Sequence, residues 1–396
     1  MLMTSRQLGL KLKNIHEFLT QLFHDDLHAR RVYSLANGAL GVIASGSLAI
    51  HAIGHGLAQA RGLVRKHAIK QVDRLLSNTG IDVEHCLAYW VPQLIGQRPE
   101  ILVALDWTDF EADGQATIAL HLVTAHGRAT PLMWKTVEKS TLKNHRNDYE
   151  DELLRGFKDV LPAGVKVTVL ADRGFGDHKL FHFLQETLGF EYVIRIRGNP
   201  STALRAGIGV TSTTGEVRPA ADWVGANGRA KTLRNAQVTA QGFTVGTVVC
   251  VHAKDMKDPW CLVASDPATP SRTLINHYAK RWTIEPGFRD TQDLHFGMGL
   301  SATHIKSPDR RDRLLLLNAF AIVLLTLLGA AGESLGFDRL LKANTVKRRS
   351  HSLFRQGSLL YDLIPNMPES RLFLLMQRFG ELLLQQPAFK HVFGLV

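Results

Sequence analysis

The chain has 396 residues, a net charge of +11 and a pI of about 9.7. Its composition, 45% hydrophobic and 21% charged, is that of a globular protein with room for two or three domains, and it excludes a low-complexity chain. The excess of positive charge favours a polyanionic partner, either nucleic acid or an acidic membrane surface.

Cysteine usage and the N-terminus indicate the compartment. The three cysteines, Cys86, Cys250 and Cys261, are odd in number and lack metal-ligand spacing, which argues against a disulfide framework. The first residues do not show the basic, apolar and small-residue order of a signal peptide. We therefore expect a protein of the reducing cytoplasm.

The first 98 residues predict a mostly helical domain. Val32–Ala60 is rich in Ala, Leu, Gly and Ile at helical spacing, and Arg65–Leu76 predicts a further, amphipathic helix. The cations of that second helix are Arg65, Lys66, Lys70 and Arg74. They surround an apolar stripe, as in a helix that lies on DNA phosphates; a solvated helix surface is the alternative.

Five strands and two helices are predicted between residues 99 and 200. The strands are Ile101–Thr108, Ala116–Thr124, Ala129–Val137, Lys166–Leu170 and Phe190–Ile196, and the helices are Asn147–Val160 and His178–Leu188. Three strands, a helix and then strand–helix–strand is the element order of a ribonuclease-H-like α/β domain, with a mixed sheet and helices on its faces. In that fold the first and fourth strands lie side by side.

Residues 201–268 interrupt this core, because short alternating runs rich in Thr, Val, Gly and Ala predict an all-β insertion. The core then resumes with a helix over His277–Gln292. On that helix Tyr278, Arg281 and Glu285 are three and four residues apart and share one face. Trp282 and Ile284 are expected to seat the helix against the core. An ion-paired surface helix is the alternative interpretation.

Leu314–Gly332 contains nineteen residues without a charge, which is long enough to span a bilayer. A helix buried on all sides of a large α/β domain has the same composition. We see no second such segment and no aromatic belts, so we predict a buried core helix and no association with membranes.

A basic helical tail is predicted to close the chain. Its segment Val346–Gln356 contains no acid and could bind phosphates or be a solvated basic surface; its cations are Lys347, Arg348, Arg349 and Arg355. The predicted domains are 1–98 (helical, DNA-end-binding), 99–200 (core, first part), 201–268 (β-rich insertion), 269–332 (core, second part) and 333–396 (helical C-terminal region).

Three acids in this arrangement predict a metal site. Asp106 and Asp172 end strands that the fold would place side by side, and Glu285 lies on the helix after the insertion. Carboxylates held close together repel one another unless cations lie between them. Two Mg²⁺ ions about 3.5–4 Å apart would bind all three acids and stabilise the attacking and leaving oxygens of a phosphoryl displacement. Mn²⁺ is a possible substitute for Mg²⁺.

The motifs LDWTD around Asp106, LADRGF around Asp172 and the spacing of Tyr278, Arg281 and Glu285 resemble the DDE transposases of bacterial insertion sequences, specifically the insertion-sequence-4 family. The resemblance covers most of the chain and implies an N-terminal domain that binds the terminal inverted repeats. It implies that the three acids are the catalytic metal ligands and that Tyr278 and Arg281 contact a DNA phosphate. It also implies a hairpin intermediate and a DNA-bound homodimer.

Two further residues match the family less specifically. Trp260 falls where relatives place an aromatic side chain that stacks on a flipped base, although a core tryptophan would read the same way. Arg195 matches a strand arginine that faces the active site, with a buried ion pair as the alternative. Gln292 departs from the family, which usually has lysine at this position. An amide carries no charge, so the departure affects the contact with the DNA end. Arg289 could supply the charge instead.

The sequence therefore predicts a cut-and-paste transposase, cytoplasmic and associated with the bacterial nucleoid, that acts on double-stranded transposon ends and target DNA. Two alternatives remain. One is a transposase-derived DNA-binding protein without catalysis, and the other is a nuclease of the same fold without strand transfer. A membrane protein is the most distant interpretation.

Overall fold

The structure is a computed structural model that describes residues 12–24, 26–198, 209–239, 241–254, 256–294, 297–384 and 392. Within these residues a ten-stranded mixed sheet lies among helices. The strands are β1 (Glu100–Phe110), β2 (Gln115–Leu122), β3 (Thr130–Glu138), β4 (Lys166–Ala171), β5 (Glu191–Ile196), β6 (Gly209–Thr211), β7 (Val217–Pro219), β8 (Lys231–Val238), β9 (Phe243–Val251) and β10 (Trp260–Ala264).

The helices precede, connect and follow the strands. They are α1 (Leu12–Phe23), α2 (Ala29–Ser45), α3 (Ile50–Arg61), α4 (Arg65–Leu76), α5 (Val83–Ile95), α6 (Arg146–Val160), α7 (His178–His182), α8 (Ser271–Lys280), α9 (Ile284–Gln292), α10 (Pro308–Ser334), α11 (Leu353–Leu363) and α12 (Glu369–Leu384). The described part of the N-terminal region is thus helical, as predicted, and α4 has the predicted bounds.

The strand order is β3-β2-β1-β4-β5-β10-β9-β8-β6-β7. The β1–β4 and β4–β5 pairs are parallel, and the other neighbouring pairs are antiparallel. This mixed sheet with flanking helices agrees with the predicted ribonuclease-H-like core. In particular β1 and β4, the predicted first and fourth strands, are neighbours.

The two faces of the sheet carry different cores. Along β1 the side chains alternate, so Val103 and Leu105 join the larger core with α10, whereas Leu102 and Ala104 join a smaller one. The smaller core also contains Ile284 from α9. Asp106 follows Ala104 by two residues, so its side chain projects from the face that α8 and α9 cover.

Helix α10 runs through the larger core. It is long and apolar enough to cross a membrane, but 83% of its most apolar window is buried inside the protein. Helices α2 and α3 are together long and apolar enough to cross a membrane, but the chain bends by 96° between them. Burial on all sides is what the core-helix interpretation of this segment predicts.

The strands between residues 209 and 264 extend the same sheet. β10 lies against β5 with Leu262 opposite Arg195, and β9, β8, β6 and β7 follow outward. Residues 199–208, where the predicted insertion begins, lie outside the described residues. The predicted division into domains stays a prediction.

Three local predictions are corrected. The helix expected over His277–Gln292 is broken by a 3₁₀ turn at Arg281–Thr283. Trp282, in that turn, is 49% exposed and does not seat the helix, whereas Ile284 does, at 1% exposed. Lys347–Arg349 lies in irregular chain before α11 rather than in a helix.

Candidate active site

Asp106 and Asp172 are brought together by the parallel pairing of β1 and β4. Leu105 is the register partner of Ala171, so the two aspartates are the next residues on neighbouring chains. β4 ends there, and Asp172 begins a turn. The prediction that Asp106 ends its strand is wrong, because β1 continues to Phe110 through its antiparallel pairing with β2.

Glu285 arrives from α9, whose start is set by its sequence. Pro286 has no N–H to donate to the carbonyl of residue 282, so an α-helix cannot run unbroken through this position. It is tolerated in the first turn of a new helix. The Thr283 hydroxyl donates to the Lys280 carbonyl at 2.7 Å and stabilises the intervening turn. Glu285 therefore lies in the first turn of α9, with its side chain 48% exposed.

Arg281 joins two of the three acids. Its Nη1 donates to Asp106 Oδ2 and its Nη2 donates to Glu285 Oε1, both at 3.3 Å. The guanidinium is buried, with a side chain 7% exposed, against 25% for Asp106. One cation is therefore shared between a strand acid and a helix acid.

Tyr278 connects the third acid to the same group. Its hydroxyl donates to Asp172 Oδ1 at 3.2 Å, and the Arg281 guanidinium lies 5.9 Å from the centre of its ring. The two side chains thus link Asp172 to the other acids. The structure brings all five residues of the predicted triad and its helix motif into one cluster.

The electrostatics of the cluster reflect burial and crowding. The pKa of Asp106 is raised, chiefly because the carboxyl is buried, and the nearby Asp172 and Glu285 raise it further, although Arg281 opposes the shift. Burial acts to lower the pKa of Arg281, but Tyr278, Asp106 and Asp172 together raise it. Burial raises the pKa of the Tyr278 phenol to about 12, so this group remains a hydrogen-bond donor.

Trp260 and Arg195 lie beside this cluster. The Trp260 ring meets the Tyr278 ring edge to face, with centroids 5.0 Å apart. Arg195 donates to the Pro259 carbonyl at 3.3 Å, rather than to a carboxylate, and its charge acts on the phenol of Tyr278. Both residues therefore border the phenol that contacts Asp172.

Beyond Glu285, α9 presents two predicted DNA contacts. Arg289 is exposed one turn after Glu285. Gln292 is half-buried and lines a cavity between α9 and the sheet, whose walls also include Phe288 and Asn318. Of these two residues, Arg289 is therefore the one that offers an exposed positive charge on the helix of Glu285.

The two predicted basic segments are both on the surface. On α4 the predicted cations Arg65, Lys66, Lys70 and Arg74 are exposed, while Val72 and Leu76 are buried. In the C-terminal segment Lys347, Arg348, Arg349 and Arg355 are exposed as well. Arg349, however, donates two hydrogen bonds to Glu333, so its charge is already paired.

Asp106, Asp172 and Glu285 form the donor set that a metal ion would use at this site. Among the described residues no group of three or more His, Cys, Asp and Glu side chains is arranged to hold a metal. The physical reason is that the Arg281 guanidinium lies between Asp106 and Glu285. The donors themselves fit a hard divalent cation, because all three are carboxylates with an excess of negative charge over the single guanidinium.

One ion pair at the site has no signal in the sequence patterns. Arg128, in the hairpin between β2 and β3, pairs with Asp290 on α9, and the side chains are 24% and 14% exposed. The hairpin was predicted, but the chain separation of 162 residues conceals the contact. A pairing of Asp290 with an arginine so far away has no local signal.

Comparison with known proteins identifies the family of this fold and site. A family model described as "Transposase DDE domain" matches residues 97–324, which is more than half of the chain and includes all three acids. No curated protein matches the chain at a significant level.

Proposed function

The chain belongs to the transposase DDE domain family, whose members are enzymes of DNA phosphoryl transfer, and we propose that it is a cut-and-paste transposase of the insertion-sequence-4 type. It would bind the terminal inverted repeats of its element, cut the DNA there and join the freed end to a target. The observation that carries the proposal is the convergence of Asp106, Asp172 and Glu285 around Arg281 and Tyr278.

Asp106, Asp172 and Glu285 would hold Mg²⁺, or Mn²⁺ in its place. Two such ions, when bound, would activate the attacking oxygen and stabilise the leaving oxygen of the phosphoryl displacement. To free the carboxylate oxygens, Arg281 has to leave Asp106 and Glu285. Its guanidinium can then pair with a DNA phosphate, since a planar fork of donors suits phosphate as well as carboxylate.

The reaction would proceed through four successive displacements. A water oxygen attacks the phosphorus at the transposon end, and the 3′-oxygen leaves as a hydroxyl. That 3′-hydroxyl then attacks the phosphorus of the opposite strand, which gives a hairpin and releases the flanking DNA. A second water then attacks the phosphorus of the hairpin, and the 3′-oxygen leaves as the hydroxyl that attacks the phosphorus of the target strand. The tyrosine and arginine of the cluster, Tyr278 and Arg281, would hold the backbone phosphate beside the acids.

The proposed DNA contacts outside the acid cluster follow from the exposure and charge of the side chains. Arg289 would replace the lysine that the family usually carries at Gln292, since it is the exposed cation on this helix near Glu285. Trp260 and Arg195 would contact the end near Tyr278. The exposed cations of α4 and of residues 347–355 would bind phosphates further away.

We further propose that the protein works as a homodimer on two DNA ends, in the cytoplasm and close to the nucleoid. The support is the same resemblance together with the charge of +11. Residues 1–98 would recognise the inverted repeats, and residues 201–268 and 333–396 would add to the DNA-binding surface.

A second candidate is a DNA-binding protein or nuclease that has lost strand transfer. Gln292 favours it, because an amide carries no charge to a phosphate. The test incubates the wild type with double-stranded ends of its own element, a target plasmid and Mg²⁺ or Mn²⁺. The proposal expects cleaved ends, hairpins and joined products, all absent in Asp106→Asn. Cleavage without joining would support the nuclease, and end binding without cleavage in either metal would support the binding protein.

A further inference from the structure

We propose that Arg128 and Asp290 are a positioning pair that fixes α9, and with it Glu285, relative to the two aspartates on the sheet. The inference rests on the proposed function, since it assigns a role at the same site. Neither residue belongs to the three acids or to the predicted DNA contacts. Their ion pair joins the hairpin of residues 123–129 to the helix that carries Glu285.

The hairpin contacts the helix at three successive points. The Ala129 N–H donates to the Thr283 carbonyl at 3.2 Å, immediately before α9 begins. One turn later the backbones run close together at Gly287. A Cβ atom at this position would lie 3.6 Å from the Ala129 carbonyl oxygen. Arg128 then donates to both carboxylate oxygens of Asp290. Glu285 lies between the first contact and the last.

The hairpin itself is well anchored. The Val123 N–H donates to the Leu102 carbonyl at 2.9 Å, and Val123 and Ala129 are buried in the smaller core. The Thr124 hydroxyl donates to the Arg128 carbonyl at 2.6 Å and closes the loop. Arg128 is therefore presented from a fixed part of the sheet that also contains Asp106.

The other contacts of α9 are apolar contacts or single hydrogen bonds. Ile284 is buried in the smaller core, and Arg281 donates one hydrogen bond to Glu285 at 3.3 Å. Phe288 meets the His121 ring edge to face at 5.2 Å, and Asn318 donates to the Thr291 hydroxyl at 3.3 Å. Apolar and single hydrogen-bond contacts tolerate small rotations of a helix, whereas an arginine with two hydrogen bonds to one carboxylate fixes direction as well as distance. Removing a group that hydrogen-bonds directly to a metal ligand typically costs 10–100-fold in metal affinity. Arg128 and Asp290 act on Glu285 only through α9, so we expect an effect near the lower end of this range.

Charge alone predicts opposite effects of substituting Arg128 and Asp290 on cation binding, whereas a positioning role predicts the same effect of both, which makes the inference testable. Arg128→Gln removes a positive charge near the acids, so electrostatics alone would strengthen the binding of a cation. Asp290→Asn removes a negative charge and would weaken it. If the pair positions Glu285, both substitutions weaken cation binding, by roughly tenfold. Mn²⁺ titration of the full chain without DNA, followed by electron paramagnetic resonance, measures this affinity.

Hydrogen exchange provides a second, activity-independent readout. Amides of residues 284–292 should exchange faster in both variants, while the thermal midpoint moves little. The exchanged pair Arg128→Asp/Asp290→Arg should restore Mn²⁺ affinity and exchange protection toward wild type. Arg128→Lys keeps the positive charge but loses the planar guanidinium that donates to both carboxylate oxygens. Its Mn²⁺ affinity and exchange rates should lie between those of wild type and Arg128→Gln.

Arg310→Gln is the matched control, because Arg310 is 22% exposed and pairs with an aspartate, Asp73, far from the acids along the chain. It should leave Mn²⁺ binding and exchange in α9 unchanged. Opposite effects of Arg128→Gln and Asp290→Asn on Mn²⁺ affinity, or no restoration by the exchanged pair, would overturn the inference. A wild type that binds Mn²⁺ through Glu285 but never cleaves DNA would instead overturn the proposed function alone.

Discussion

Arg281 and Asp106 form a buried ion pair, 3.3 Å from Nη1 to Oδ2, that links the 3₁₀ turn before α9 to the central strand β1. The same guanidinium also pairs with Glu285. The cluster therefore contains its own counter-cation in the metal-free state. This arrangement leads to a first prediction on stability.

Arg281→Gln should destabilise the metal-free protein, because it leaves two acids near each other without their shared cation. Losing one partner of a fully buried pair costs about 3–5 kcal/mol, and the partial exposure of both acids reduces this to about 1–2 kcal/mol. Urea unfolding in EDTA measures the loss. Added Mg²⁺ should raise the unfolding free energy of the variant more than that of wild type, since no guanidinium competes for the oxygens. Equal metal responses would contradict this.

Asp312 should make stability depend on pH. It lies on α10, and both its oxygens accept from the Thr136 N–H, at 3.1 and 3.2 Å. Burial raises its pKa from 3.8 to about 7, Thr136 opposes the shift, and the nearby Asp309 and Lys135 act in opposite directions. A raised carboxyl pKa means that the folded state holds the proton more tightly than the unfolded state.

The stabilisation from Asp312 is thus complete below about pH 4 and is lost as the pH rises through 7, and the full shift corresponds to about 4 kcal/mol. In Asp312→Asn this part of the pH dependence should vanish. Urea unfolding of the variant and the wild type between pH 4 and 8 measures the difference in unfolding free energy. Thr136→Val removes a hydroxyl that donates to Asp312 and opposes the pKa shift, so this variant should keep the pH dependence and enlarge it. A variant with the wild-type pH slope would show that Asp312 is ionised throughout.

The cations of α4 should bind DNA phosphates. Lys70 and Arg74 are exposed on this helix, so replacing each with Gln should weaken DNA binding for all sequences alike. The slope of log affinity against log salt should fall by about 0.9 for each phosphate that the variant no longer neutralises. Filter binding at several salt concentrations measures the slope. Lys158→Gln is the control, because Lys158 is also an exposed cation but lies on α6, and an equal effect there would mean a nonspecific charge effect.

The C-terminal cations should separate into two classes. Lys347 is exposed, so Lys347→Gln should reduce the salt slope of DNA binding. Arg349 pairs with Glu333, which also accepts from Gln356 at 2.8 Å, so Arg349→Gln should chiefly loosen this segment. We expect faster proteolysis there but little change in the salt slope. A larger loss of DNA affinity in Arg349→Gln than in Lys347→Gln would show that Arg349 leaves Glu333 for DNA.

The sequence sufficed for features that depend on local periodicity and element order. The apolar stripe of α4 gave its bounds, and the strand order placed Asp106 beside Asp172 because a right-handed crossover leaves few alternatives. The length of an uncharged segment also predicted a buried helix, although α10 (Pro308–Ser334) extends beyond the predicted Leu314–Gly332 at both ends, because its first turns contain charged residues. Such signals are local or follow from common topologies, so one sequence carries them.

Other features depend on long-range contacts or on a signal that was overlooked. The break before α9 could have been inferred from Pro286, which no helix interior accepts without a defect. The exposure of Trp282 follows from that break. By contrast, the pairing of Arg281 with both acids and of Arg128 with Asp290 depends on the folded geometry, and spacing along the chain does not encode it.

The burial of α10 has a consequence for biosynthesis. A segment this apolar is a hazard while it emerges from the ribosome, since unburied it would attract membranes, chaperones or other nascent chains. Its packing partners α2, α4, α5 and β3 all precede it in the chain. Translation has therefore already supplied part of its binding surface when α10 appears. The rest comes after it, from α11, its most extensive partner, and from α12, so α10 stays partly uncovered until these two helices are made.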